Sequence, residues 1–255
     1  MGVDAAGSSD APVTTETSRV YAHSRDTLYR LNSLTLSPTQ IGTMSGIDGS
    51  LLDLAVDKND RIIGVTATAL YTISSTSGAA SVLRTLGTGS PRFTSLSFIP
   101  ATNAADPDIL VAAADNGDVY QINETNGVAT QIGSYGMHNG MAVKSSGDLF
   151  GVRGYGIFAT VDVGTGTMDY LARIDPAAGY KATPLAQSTE RDKIFGIGFW
   201  GGKIYGFVDT TPQGGMTPSG SMIEIDSVTG AATQLATGPQ QWFGAGVTTN
   251  APIIQ

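Results

Sequence analysis

A four-strand unit repeated along the chain restricts the possible fold more than any other feature of this sequence. Its clearest copy, residues 51–87, has four short runs of apolar and β-branched residues, separated by turns rich in Asp, Asn, Gly and Ser. The third run recurs five times, and its second residue is Tyr29, Tyr71, Tyr120, Phe158 and Ile223. Four-strand units that recur about every 40 to 50 residues predict a β-propeller.

The other runs of the unit also recur five times, which predicts five blades. Second runs begin at Arg19, Arg61, Ile109, Asp148 and Lys203, and first runs begin at Leu51, Thr94, Asn139, Phe195 and Phe243. The fifth copy of the first run lies at the C-terminal end of the sequence, whereas the N-terminal unit starts at its second run. We therefore predict an all-β, five-bladed propeller of four-stranded antiparallel blades, in which residues 243–247 complete the blade begun by residues 19–43. Such closure removes exposed sheet edges.

A small residue occupies one matched position in each predicted first strand. These residues are Ala55, Ser97, Ala142, Gly198 and Gly246. First strands of a propeller lie nearest its axis, so small residues there fit a narrow central channel. Equally, they could let one sheet pack closely against the next.

Composition limits the class of protein and its partners. The 255 residues are 41% hydrophobic and show no strong helical periodicity, which suits one all-β domain over residues 19–255. The net charge of −8, without a Lys/Arg cluster, argues against nucleic acid and anionic membranes as partners. The absence of Cys excludes disulfides, thiolate catalysis and Cys-ligated zinc. No apolar run reaches the roughly 18 residues of a membrane span.

Residues 1–18 are small and polar and lack the order of a signal peptide. We expect a disordered tether that follows a removed export signal or a lipid-anchored residue, in a periplasmic, cell-surface or extracellular protein. The alternative is the frayed terminus of a cytoplasmic protein.

Short motifs give little support for catalysis or a cofactor. Residues 196–201 match GxGxxG, but a strand rather than a phosphate-binding helix follows. Asp57 and Asn59 faintly resemble a calcium loop that lacks its Gly and Glu, so we expect a hairpin turn there. GxSxG, HExxH and Walker sequences are missing. We therefore expect no cofactor or metal and favour a protein without catalytic activity.

The connections between blades contain the candidate ligand-binding residues. Each connection leads to the start of an inner strand, so its polar side chains should surround one end of the channel. The candidates are Asp48, Arg92, His138, Glu190, Asp192, Gln241 and Trp242. Trp242 would supply a flat apolar platform. His23 is expected to be a partly buried, hydrogen-bonded side chain, and the long loops 175–193 and 210–221 are further places for binding.

These residues favour a binding or scaffold module of the bacterial cell envelope, with a small ligand, a glycan or a protein as its partner. The alternative is a carbohydrate-active protein, either a lectin-like sugar binder or a glycosidase. A glycosidase needs two carboxyl groups about 5 to 9 Å apart. Asp48 or Asp53 could form such a pair with Glu190 or Asp192.

The repeat also resembles a known group of proteins. RIIGVT followed by LYTISSTSGAAS, and KIYGF followed by MIEIDSVTGAATQL, resemble the repeats of uncharacterised secreted bacterial β-propellers, loosely grouped with quinoprotein-like propellers. The resemblance covers nearly all residues after Ser18 and implies the fold and an exported location. It supplies no functional residues. Quinoprotein dehydrogenases carry tryptophan docking motifs, which the two Trp of this chain cannot reproduce.

Overall fold

The computed structural model describes residues 18–254 as five antiparallel sheets arranged as the blades of a ring. Blade 1 contains β1 (Val20–His23), β2 (Thr27–Asn32) and β3 (Ser37–Thr43). Blade 2 contains β4 (Asp53–Val56), β5 (Ile62–Val65), β6 (Ala69–Ile73) and β7 (Ala80–Thr85). Blade 3 contains β8 (Phe93–Ile99), β9 (Ile109–Ala114), β10 (Asp118–Ile122) and β11 (Ala129–Ser134).

The remaining strands complete the ring. Blade 4 contains β12 (Met137–His138), β13 (Met141–Val152), β14 (Gly156–Val163), β15 (Tyr170–Asp175) and β16 (Lys181–Pro184). Blade 5 contains β17 (Ile194–Trp200), β18 (Lys203–Asp209), β19 (Gly220–Ile225) and β20 (Ala232–Gly238). The last strand, β21 (Gly244–Val247), joins blade 1. The five-bladed propeller predicted from the repeat is therefore confirmed.

Ring closure by the C-terminal strand is also confirmed. β21 pairs antiparallel with β1, from Val20 opposite Val247 to His23 opposite Gly244. Both strands are fully buried. Blade 1 is thus built from the two ends of the described chain.

The inner strands β4, β8, β13, β17 and β21 follow one another around a central channel. They all begin at the same end, because residues next to their starts line one common cavity. We call this end of the channel the mouth and the opposite end the base. All connections between blades lie at the mouth.

The turns between third and fourth strands explain much of the sequence repeat. In four blades a side-chain oxygen accepts the backbone N–H groups two and three residues further along, and the accepting residues are Asn32, Ser74, Asn123 and Asp226. Asx and Ser/Thr turns of this type favour the polar residues found there. In three of these turns a glycine with positive φ follows, namely Gly78, Gly127 and Gly230.

Blade 4 differs from the sequence interpretation by one strand. The prediction that residues 139–143 form its inner strand is wrong, because the inner strand is the second half of β13, from Asp148 onward. Ser145-Ser146-Gly147 resembles a turn, yet β13 continues through it, with only a shift of register against β14 between Ser145 and Leu149. The matched inner position is therefore occupied by the large Phe150 rather than by Ala142. Within the predicted insertion 175–193, β16 is the outermost strand.

The base of the channel is covered by the segment that follows β21. Thr248 bridges to Val56, and its hydroxyl donates to the Asp57 carbonyl at 2.9 Å. The Thr249 hydroxyl donates to the Asp108 carboxylate at 2.6 Å, and the Thr249 carbonyl accepts the Arg153 N–H. Both threonines are fully buried. The C-terminal segment therefore links blades 2, 3 and 4 at the base.

Of the predicted tether, only Ser18 is described: it is buried, and its hydroxyl donates to the Leu31 carbonyl. Residues 1–17 lie outside the described residues. Within residues 18–254, no helix has the length and apolar character needed to cross a membrane.

Candidate functional site at the channel mouth

A cavity of about 310 Å³ occupies the mouth of the channel. Its lining comes from all five blades, because each lining residue stands at or next to the start of an inner strand or at the register shift within β13. These residues are Ser50, Leu51, Leu52, Arg92, Phe93, Thr94, Ser146, Gly147, Phe195 and Phe243. The ring geometry thus brings together residues that are almost 200 positions apart in the sequence.

The wall of this cavity is mainly apolar. Leu52, Phe195 and Phe243 are equivalent residues of three blades, because they hold the same position at the start of an inner strand. Each of the three side chains is half-buried. Phe243 is held by its backbone N–H, which donates to the His23 carbonyl at 3.0 Å, and its ring stacks on the His23 ring. The wall therefore presents aromatic surface at fixed positions to whatever enters the mouth.

Arg92 is the one charged residue among the ten that line the cavity. It directly precedes the buried Phe93, so its backbone is fixed while its side chain is exposed. Within the described residues its guanidinium makes no hydrogen bond, ion pair or ring contact. The sequence prediction that Arg92 lies at the mouth agrees with this position.

Below the cavity, two buried carboxyl groups bind the free edges of the inner strands. An inner strand has no neighbouring strand on the channel side, so its N–H groups that face the channel need other acceptors. Asp53 accepts the N–H of Leu54 at 2.8 Å and of Leu96 at 2.7 Å, and it also bonds the N–H of Ala245. Three adjacent blades are joined in this way.

Asp148 completes the same arrangement for the other two blades. Its carboxyl oxygens accept the N–H of Leu149 at 2.6 Å and of Ile197 at 2.7 Å. The five bonded N–H groups belong to equivalent residues of the five inner strands. Two carboxyl groups thus serve a complete ring of five donors.

The two carboxyl groups also bond each other. Burial raises the pKa of both Asp53 and Asp148 well above the usual range, and the charge of Asp53 raises the pKa of Asp148 further. The hydrogen bond between them favours the charged form of Asp53 and the protonated form of Asp148. Burial and this mutual contact therefore both favour states in which the pair holds a proton, so its negative charge is smaller than that of two separate carboxylates.

Full burial makes Asp53 unsuitable as a catalytic carboxylate. Its side chain has no solvent exposure, and backbone N–H groups and Asp148 occupy its oxygens. Glu190 and Asp192, by contrast, are exposed. The suggested catalytic pairing of Asp53 with either residue is therefore wrong.

His23 lies beside this pair and is more deeply buried than the sequence suggests. Its Nδ1 is 2.8 Å from the Ser24 carbonyl oxygen, and its Nε2 has no partner among the described residues. Burial lowers the pKa of His23 to about 4, against the opposing effect of the Ser24 bond. Gly244 is needed here, because a Cβ at this residue would lie 2.4 Å from Asp53 Oδ1 and 2.7 Å from His23 Nε2.

The other predicted site residues lie at the mouth face but outside the cavity. Asp48, Glu190 and Asp192 are exposed. His138 lines a separate hollow of about 280 Å³ with Asn139, Met141, Tyr170 and Leu185 among its neighbours. The side-chain amide of Gln241 donates to Asp209 Oδ2 at 3.1 Å, which fixes it within blade 5.

Trp242 is a core residue and not an exposed platform. Its side chain is only 2% exposed and meets the rings of Tyr29 and Phe207 edge to face, with centroids 5.3 Å apart in each case. It packs between blades 5 and 1. The prediction that Trp242 offers an accessible ligand surface is wrong.

The aromatic residues that do face the mouth are not among the candidates predicted from the sequence. Phe195 and Phe243 each begin a predicted first strand, in FGIGF and FGAGV. Two apolar aromatic residues at the same repeat position, one residue before a small one, were the available signal. Asp53 and Asp148 gave a similar signal, since each precedes a Leu in its repeat.

Asp169, whose carboxyl group accepts the Ile194 N–H at 2.8 Å, makes the stability of the protein depend on pH. Burial raises the pKa of Asp169 to about 7, although the bond from the Ile194 N–H opposes the shift. The folded protein keeps this proton up to about pH 7, whereas an unfolded chain releases it near pH 4. The free energy of unfolding therefore falls as the pH rises through this window.

Asp169→Asn should remove this pH dependence. The introduced amide keeps an oxygen for the Ile194 N–H but cannot ionise, so the variant should lose a slope of about 1 kcal/mol per pH unit between pH 5 and 7. Urea unfolding at several pH values measures the slope. Asp115→Asn, in an exposed turn, is the control and should keep it. An unchanged slope in Asp169→Asn would contradict the assignment.

The lowered pKa of His23 has the opposite effect on stability. Because the unfolded chain binds this proton below about pH 6.5 and the folded protein only below about pH 4, the free energy of unfolding rises with pH between these values.

Comparison with known proteins gives only distant similarities. The sequence matches no family model and no curated protein. A Bacteroides thetaiotaomicron protein of unknown function is 15% identical, with a TM-score of 0.46 over 73% of this chain and 52% of that one. One from Bacteroides caccae is 9% identical, with a TM-score of 0.42 over 86% and 72%. An exo-beta-1,3-galactanase from Phanerochaete chrysosporium is 12% identical, with a TM-score of 0.45 over 86% and 49%.

This chain spans about half the length of the first and third of these structures. At such low identities and TM-scores, no activity, substrate or partner can be transferred from them to this chain.

Proposed function

We propose that the protein is a non-catalytic binding module whose ligand enters the mouth cavity. The observation that carries this proposal is the cavity itself. All five blades contribute to its mainly apolar lining, its volume is about 310 Å³, and the unpaired guanidinium of Arg92 lies at its edge. Small-molecule sites are typically concave and apolar with a few polar groups that orient the ligand. The volume is at the lower end of the usual range, which suits a small ligand or a single side chain of a partner.

The polar groups of the cavity favour binding over catalysis. None of its ten lining residues, all within the described part of the chain, is Asp, Glu or His. General acid–base catalysis needs such a group within hydrogen-bonding reach of the reacting atom. The two carboxyl groups beneath the floor are occupied by backbone N–H groups and by each other. The cavity therefore has the means to hold a ligand, whereas its lining lacks acids and bases.

We further propose that the protein is exported to the bacterial cell envelope, which would suit its sparse charge, 14% of residues. For a glycan or protein partner larger than the cavity, the exposed rim around the mouth extends the surface, with Asp48, Glu190 and Asp192 as polar contacts. Turnover of a chromogenic glycoside that is lost in Glu190→Gln would contradict a non-catalytic role.

The neutral fluorescent probe N-phenyl-1-naphthylamine tests the cavity directly. We expect one molecule to bind, and Phe195→Ala or Phe243→Ala to weaken binding by about 1 to 2 kcal/mol, the usual scale for losing an aromatic contact. Val82→Ala, which removes an exposed apolar side chain from the outer strand of blade 2, is the control and should leave binding unchanged. Thermal melting would confirm that each variant is folded. Equal affinities in the wild type and both Phe variants would refute the proposal.

A further inference from the structure

The unpaired state of Arg92 distinguishes it from most other arginines of the protein. Arg19 pairs with Asp60, Arg61 with Asp57 and Glu124, and Arg153 lies against Asp108. Others are held by carbonyl oxygens, as Arg84 is by Thr125 and Arg173 is by Ser227. Arg92 lacks such a partner within residues 18–254 and stands at the edge of an apolar cavity. Its hydrogen-bonding capacity is therefore available to a ligand.

The surroundings of Arg92 decide the sign of the charge that the cavity prefers. A cation on the faces of Phe195 and Phe243 would gain a cation–π attraction, but it would be repelled by the guanidinium at the lip. An anion gains a charge-assisted hydrogen bond, which can be bidentate to a carboxylate or sulfonate. The apolar wall and the body of the ligand would both displace water from this contact and so strengthen it.

The buried acid pair repels an anion in this position less than two ionised carboxylates would. Two ionised carboxylates beneath the floor would repel an anionic ligand. Because burial and their mutual contact raise the pKa of both groups, the pair carries less negative charge than two separate carboxylates, and backbone N–H groups of the inner strands bond the oxygens of Asp53. The exposed carboxylates of the rim act through water and salt, which screen them over about 8 to 10 Å.

We propose that the mouth cavity selects a small aromatic or apolar molecule with a single anionic group, which Arg92 binds while Phe195, Phe243 and Leu52 cover its apolar body. This inference rests on the proposed function of the cavity. It assigns to Arg92 the role of a specificity-determining residue, since the apolar wall alone would accept neutral and charged ligands of the same shape.

Two dyes of nearly the same shape test this selectivity. 1-Anilinonaphthalene-8-sulfonate carries one sulfonate, and N-phenyl-1-naphthylamine is the same ring system without it. We expect Arg92→Gln to weaken binding of the sulfonate by about tenfold and that of the neutral dye by less than about twofold. Arg92→Lys should restore most of the sulfonate affinity. Raising the salt concentration from about 0.05 to about 0.5 M should weaken only the sulfonate.

Arg25→Gln is the matched control for the loss of one positive charge. Arg25 is exposed in the turn between β1 and β2, which also lies at the mouth face, but it does not line the cavity. Its variant should bind both dyes like the wild type. The same effect on the sulfonate in Arg25→Gln and Arg92→Gln would show a general charge effect and overturn the inference.

The two proposals fail in different ways. If Arg92→Gln leaves sulfonate binding unchanged, or weakens both dyes equally, selection of anions by Arg92 is refuted. Loss of both dyes in Phe195→Ala would in that case still support a ligand cavity. If Phe195→Ala and Phe243→Ala bind both dyes like the wild type, the proposed function itself is refuted, and the inference with it.

Discussion

Deletion of the last twelve residues, 244–255, should abolish cooperative folding. The deletion removes β21, all of whose residues are buried, and leaves β1 without its partner on the channel side. It also removes Thr248 and Thr249, which join the base to Asp57 and Asp108. The unpaired edges of blade 1 would then be free to pair with other chains. We expect aggregation and no sigmoidal thermal transition by circular dichroism.

A shorter deletion separates this effect from the mere loss of chain. Removal of residues 254–255 takes away Ile254, which is 80% exposed, and leaves the whole of β21 in place. This variant should remain soluble and melt within a few degrees of the wild type. A soluble protein with an unchanged melting temperature after the twelve-residue deletion would contradict closure of the ring by β21.

Asp53→Ala should destabilise the folded protein more than the loss of any other single carboxyl group at the mouth. It removes the acceptor for N–H groups of Leu54, Leu96 and Ala245 and the partner of Asp148. A buried N–H group left without an acceptor costs about 1 to 3 kcal/mol, so the loss of an acceptor for these groups should lower the free energy of unfolding by about 3 to 9 kcal/mol. Urea unfolding followed by tryptophan fluorescence measures this change, because Trp242 and Trp200 are buried.

Two further variants serve as controls for this prediction. Asp148→Ala exposes two N–H groups instead of three and should cost less than Asp53→Ala. Asp48→Ala removes an exposed carboxylate near the same mouth and should change the stability by less than about 0.5 kcal/mol. A loss in Asp53→Ala no larger than that in Asp48→Ala would show that water replaces the carboxylate without penalty.

The architecture could be predicted from the sequence because its determinants are local. Alternating apolar runs and Asx-type turns recur in each unit, and the offset between the first and last units indicates closure. In blade 4, local composition predicts the wrong inner strand. Ser145-Ser146-Gly147 has turn composition, but pairing with β14 on both sides keeps β13 continuous. Local composition does not report such long-range pairing.

The site could be predicted less well, and Trp242 and Phe243 show why. These neighbours occupy opposite environments, one between two blades and the other at the mouth. Successive side chains of an extended segment point to opposite sides, so a one-residue uncertainty in register reverses which of the two meets a ligand. The position of Arg92 at the mouth was predicted correctly because its connection could be placed, whereas the bond between Asp53 and Asp148 depends on the closed ring.

The sharing of five inner-strand N–H groups between two carboxyl groups has a consequence for how such a ring can arise. If it descended from copies of one unit, the copies could not remain identical. Aspartate in all five would crowd five acids onto one axis, and glycine in all five would leave five donors without acceptors. At this position the repeats hold Asp53, Ser95, Asp148, Gly196 and Gly244. Divergence between duplicated units is therefore a condition of stability here, and a consensus redesign of the blades would have to break its own symmetry at this layer.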